Sequence, residues 1–186
     1  MTPLHLILPV AALLSASATP AQQQQSWQRY TQPTGLSAEF PGEPDRFDQW
    51  TDIAKGRVIQ LDRFMRDAGG SMRAYYFLQA VIADKPYDVD AKIAANIADA
   101  KNGGDAAVGK SFVSQRALKP SEMPLPGMRG VELVYTYSSF GADGAQVETS
   151  RNMYVGNKWL SVSVRHYEND RSWSKDRFFN SVSWRP

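Results

Sequence analysis

The chain has 186 residues, of which 21 are Lys or Arg, 19 are Asp or Glu, two are His and none is Cys. A net charge of +2 gives no electrostatic case for nucleic-acid binding, and 42% hydrophobic with 11% aromatic residues excludes a disordered chain. The absence of cysteine removes disulfides, thiolate-held zinc, thiol catalysis and acylation of an N-terminal cysteine.

The chain opens with an apolar run, Leu4 to Leu14, followed by small residues to Ala21 and by Gln22 to Gln25. A run this short, ending in small residues, reads as a secretory signal and falls short of the roughly 20 apolar residues of a membrane span. Its amino-terminal flank lacks Lys and Arg. Cleavage after Ala18 or Ala21 fits, and Ala21 is preferred because Pro20 would sit just past the other bond. The expected organisation is a signal over 1–21, a polar leader over 22–35 and one domain over 36–186. The product is expected to be periplasmic or secreted, with no stable membrane insertion.

Ser37 to Phe40 reads as a short strand stopped by Pro41-Gly42-Glu43-Pro44. Arg57 to Arg66 puts Val58 and Phe64 on one face and Ile59, Leu61 and Met65 on the other. Tyr75 to Ala83 is almost wholly apolar, as expected of a strand covered on both faces. Leu78, Ala80 and Ile82 are expected beneath one layer and Phe77 and Val81 beneath the other, with the two runs forming a hairpin at the centre of a sheet. The period then changes. Val89, Ile93, Ile97 and Ala100 form one helical stripe, with Asp88 as its N-cap and Asn102-Gly103-Gly104 as its stop.

Strands are expected again over Lys110 to Leu118, through Val131, Leu133, Tyr135 and Tyr137, over Gln146 to Val155 and over Trp159 to Tyr167. Short glycine turns make the last three an antiparallel meander. Asp170 to Asn180 reads as a helix capped by Asp170 or Ser172, and Ser181 to Trp184 as a final strand. The sum is an α+β chain on an antiparallel sheet.

Three segments resemble the PsbP/Mog1-like superfamily, especially its small exported bacterial members. They are Leu36-Ser37-Ala38-Glu39-Phe40-Pro41-Gly42-Glu43-Pro44, Gly127-Met128-Arg129-Gly130-Val131-Glu132-Leu133 and Arg177-Phe178-Phe179-Asn180-Ser181-Val182. The resemblance implies an αβα sandwich on a central antiparallel sheet, and a bias towards accessory and binding roles without chemistry. It carries over no partner surface and no site residue.

Chemistry finds little support in the residues. His166 shares a strand face with Val162 and Val164, while Ser161 and Ser163 lie on the opposite one; Glu168 or Asp170 would be its carboxylate partner in a small hydrolase. No G-x-S-x-G elbow or phosphate loop is present. Asp84, Asp88, Asp90 and Asp143 do not match a calcium loop and suit caps and turns instead. No catalytic residue, metal or cofactor is therefore expected. The strand aromatics suit a core with Tyr hydroxyls at its rim, or else a stacking platform.

The segment Lys119 to Gly130 points more directly to a role. It is stiffened by Pro120, Pro124 and Pro126 and carries Met123, Leu125 and Met128 beside Arg129. These four residues are the expected partner-contact site of a non-enzymatic binding protein. Folding of the loop back over a sheet edge is the competing expectation, and a carrier of a small apolar ligand the other alternative.

Overall fold

A computed structural model of the protein describes residues 26–50, 60–67, 74–103, 109–138, 145–168 and 175–185. The strands are β1 (Gln28–Thr31), β2 (Leu36–Phe40), β3 (Asp45–Trp50), β4 (Gln60–Asp67), β5 (Ala74–Ile82), β6 (Lys110–Ala117), β7 (Arg129–Tyr137), β8 (Gln146–Val155), β9 (Lys158–Tyr167) and β10 (Ser183–Trp184). The helices are α1 (Val89–Asn102) and α2 (Lys175–Ser181), and a single 3₁₀ turn covers Pro120–Glu122. The signal segment, Val58, Ile59, Asp143 and the Asp170 and Ser172 caps lie outside the described residues.

Seven strands form one antiparallel sheet in the order β3-β4-β5-β9-β8-β7-β6, and β1-β2-β10 form a second, smaller one. The chain is α+β, with strand predominating. The β4–β5 hairpin forms with Leu61 opposite Val81 and Phe64 opposite Leu78. It is not itself the centre of the sheet: β4 is next to the β3 edge, and β5 is third in the order.

Strand alternation and register divide the large sheet into two faces. On one, Tyr76, Leu78 and Ala80 of β5 stand beside Val164, Val162 and Leu160 of β9. All six are buried, together with Leu36, Ala38 and Phe40 of β2, Phe178 and Phe179 of α2, and Trp184. The Phe178 ring meets both Phe40 and Tyr76 edge-on at 5.1 Å. Ile82, expected to be equally buried, is half-buried, because it ends its strand opposite Lys158.

The small sheet extends the ordered domain into the stretch expected to be a polar leader. Residues 28–31 pair with β2, and the Trp27 ring lies 5.7 Å from that of Tyr76. Structure in the 22–35 segment is supplied by pairing, since Gln28-Arg29-Tyr30-Thr31 has no apolar alternation of its own.

The opposite face of the large sheet carries α1. Ile93, Ile97 and Ala100 pack on Val131, Leu133, Tyr135 and Tyr137 of β7 and on Phe112 of β6. The helix begins where expected, with the Ala91 N–H donating to the Asp88 carboxylate at 3.0 Å. It ends with the Gly103 N–H on the Asp99 carbonyl. Thus α1 and α2 lie on opposite faces of the same sheet. Among the described residues, no helix is long and apolar enough to cross a membrane.

Candidate functional site

A groove of about 510 Å³ opens between α1, the end of β6 and the proline loop. Its apolar lining comes from Ile93 and Ile97 of the helix, Ala117 and Val131 of the paired strands, and Met123 and Met128 of the loop. The strand on its outer side is the last in the sheet, so among the described residues one backbone edge of β6 has no neighbour. A bulge between Phe112 and Ser114 interrupts that edge, and Val113 at the bulge is 54% exposed. Beyond the bulge, Ser114 to Ala117 continue in register beside β7 along the groove.

Of the four residues expected at a partner site, Met123, Met128 and Arg129 line this groove; Leu125 does not. The three apolar side chains are less free than a projecting loop would make them. Met128 is buried, and Met123 and Leu125 are half-buried against the α2-side core. The loop thus folds back over the end of the sheet, because its position is fixed by an ion-pair cluster. Arg116, Glu132 and Arg151 are cross-strand neighbours on β6, β7 and β8. Glu122, from the 3₁₀ turn, closes the set. It accepts from Arg116 at 2.9 and 2.8 Å and from Arg151 at 3.1 Å. Glu132 accepts from both arginines at 2.8 Å.

Arg151 is buried, and its guanidinium lies 4.2 Å from the centre of the Phe179 ring, tying the cluster to α2. The bidentate Arg116 contact, with an N–H from Lys119 added, holds the Glu122 carboxyl down at about 2. Arg129 is exposed and pairs with Asp90 at the start of α1. Its guanidinium holds the Asp90 carboxyl below the ordinary range. Both arginines bordering the groove are therefore committed to carboxylates.

The other polar features are structural in their surroundings. His166 is buried on the α2 side of the sheet, opposite Ala74, with Nδ1 2.8 Å from the Tyr167 carbonyl oxygen. Glu168 is exposed, and its backbone N–H donates to the Ala145 carbonyl. On the α1 side the Tyr137 hydroxyl donates to Glu148 at 2.9 Å, and Arg165 donates to the same carboxylate at 2.9 Å. Burial raises the Tyr137 and Tyr75 phenols and pushes Tyr135 up to about 12, with Glu148 adding to each shift, so all three stay protonated near neutrality. Lys110 lies 4.2 Å from the centre of the Tyr135 ring. Among the described residues, no three His, Asp or Glu side chains converge as a metal site would require.

In the sequence, the prolines and methionines mark the loop side of the groove. The α1 side and the four-membered ion cluster, whose members come from four separate segments, carry no comparable local signal. No protein-family model matches the chain, and no curated protein matches it.

Proposed function

We propose that the protein is an exported, non-enzymatic accessory protein that holds a segment of a protein partner in the groove between α1 and β6. One observation carries this reading: an apolar trough runs beside a strand edge that no other described residue pairs, with its bordering arginines already neutralised. Such a trough suits an extended segment that offers main-chain hydrogen bonds to Ser114–Ala117 and apolar side chains to Ile93 and Ile97. The hydrolase alternative loses ground because His166 is buried away from the groove and its described carboxylate neighbour, Glu168, is exposed. Export rests on the apolar run and small residues before Gln22. The finer PsbP/Mog1-like assignment rests on the three sequence segments, and the placement of one helix on each face of the sheet is compatible with it.

Gln115 is exposed and lines the groove, so Gln115→Trp fills the trough without opening the core. Immobilised wild-type protein and His166→Ala should retain the same partner from native extract, and Gln115→Trp should lose it at unchanged melting temperature. Equal capture by all three overturns the reading. A small apolar molecule found in the native protein, displaced by Gln115→Trp with no protein bound, would make it a carrier instead.

A further inference from the structure

With no Cys in the sequence, methionine carries all the side-chain sulfur of this protein. Its thioethers are therefore the sulfur that a two-electron oxidant can reach. Of the methionines whose side chains are described, Met128 and Met153 are 5% and 2% exposed, whereas Met123 is half-buried. Met123 also lines the groove of about 510 Å³, which gives room for a peroxide molecule and for the oxygen it leaves behind.

The fold holds this side chain at the trough. Met123 follows the 3₁₀ turn, and its backbone N–H donates to the Pro120 carbonyl at 3.3 Å. Its neighbour Glu122 is fastened by Arg116 at 2.9 Å and by Arg151 at 3.1 Å. We propose that Met123 is a modification site at which peroxide, by forming the sulfoxide, reversibly turns off the groove. The inference rests on the groove being the partner site, and it names how that site is regulated.

The chemistry is an oxygen transfer. An S–O bond forms as the peroxide O–O bond breaks; the sulfur gives up two electrons and the peroxide is reduced to water. No carbon–sulfur bond is touched, so two electrons from a thiol, with release of water, restore the thioether. The product is a strong hydrogen-bond acceptor where the reduced side chain was apolar. In the open groove water satisfies that acceptor, and an apolar segment entering the groove must strip the water away. The lining supplies little in exchange. Arg116 and Arg129 are engaged by carboxylates, and among the described residues Gln115 is the remaining polar side chain of the lining. An amide bonded to the sulfoxide is, moreover, an amide withdrawn from the partner.

A graded hydrogen peroxide series on the full chain tests the proposal. Each sample is mapped by peptide mass spectrometry, and a portion is immobilised and offered native extract. Met123 should gain its oxygen about tenfold faster than Met128 and Met153. Capture should fall in step with the Met123 sulfoxide, about tenfold at completion, at unchanged circular dichroism. The two epimer-specific methionine sulfoxide reductases, supplied with dithiothreitol, should restore it. In Met123→Leu the same series should leave capture at that variant's own starting level, and the wild-type series decides alone if that level is nil. Oxidation of Met123 no faster than of Met128 and Met153 overturns the proposal and leaves the groove reading standing. So does capture that ignores the Met123 sulfoxide, or that falls equally in Met123→Leu. No capture by the untreated wild type is instead the failure of the groove reading, and it takes the proposal with it.

Discussion

Glu122 is the residue on which the loop depends. Its carboxyl, held at about 2 chiefly by Arg116, binds a proton less readily folded than unfolded, where an ordinary value of 4.5 applies. Its contribution to stability is therefore complete above the unfolded value and is lost as pH falls through about 2. Arg116 is part-exposed, so solvent screening reduces the contribution to roughly 1 kcal/mol. Glu122→Gln should remove that much stability at neutral pH and flatten the acid limb of the stability profile; a wild-type slope would show that the clasp carries no weight. His166→Ala should behave differently, lowering the melting temperature while partner capture is retained. Its imidazole is packed in the sheet, remote from the groove lining. Lost capture in a variant that still folds would return His166 to the centre of the function.

Among the elements, α1 was the most legible and β1 the least. A 3.6-residue apolar period, an acidic cap and a glycine stop are local signals, and the helix boundaries follow them. Asp88→Ala should cost about 1 kcal/mol and increase amide exchange in the first turn. The strand β1 carries no such signal, because its conformation comes from β2, its partner in register. The loop half of the candidate groove was readable from Pro120, Met123 and Met128, whereas Ile93 and Ile97 read only as core positions until β7 was placed beneath them. Gly130 shows a close fit that composition did not reveal. A Cβ there would come within 2.5 Å of the Asn152 carbonyl oxygen and 2.8 Å of the Met153 side chain. Gly130→Ala should thus force β7 and β8 apart and destabilise by several kcal/mol. A loss of under about 0.5 kcal/mol in chemical denaturation would refute this account of the β7–β8 pairing.

For the molecule as a whole, the sheet separates two cores, and among the described residues the α2 side is the larger. Leu78→Asp should prevent folding, because it places an unpaired carboxylate among fully buried side chains. Ile82→Asp should be tolerated better, since the half-buried strand end gives its carboxylate access to water. Equal effects at 78 and 82 would contradict the burial gradient along β5. Export makes a separate prediction: the native protein should begin at or near Gln22 by N-terminal sequencing, and an intact Met1 in a cytoplasmic fraction would remove the basis for placing it outside the cytoplasm.

Trp184 donates its indole N–H to the Thr34 carbonyl at 2.8 Å, across 150 positions of the chain. Nearby, Ser183 pairs with Ser37, and the Arg185 N–H reaches the Gly35 carbonyl. These contacts close the α2-side core over β2. Loop closure on this scale is slow, and it cannot be completed by residues emerging earlier in synthesis. A nascent chain therefore leaves the faces of β2 and β5 open to water until the segment carrying Trp184 has emerged. That interval gives a holding chaperone its window for engagement, and Trp184 fluorescence should report its end.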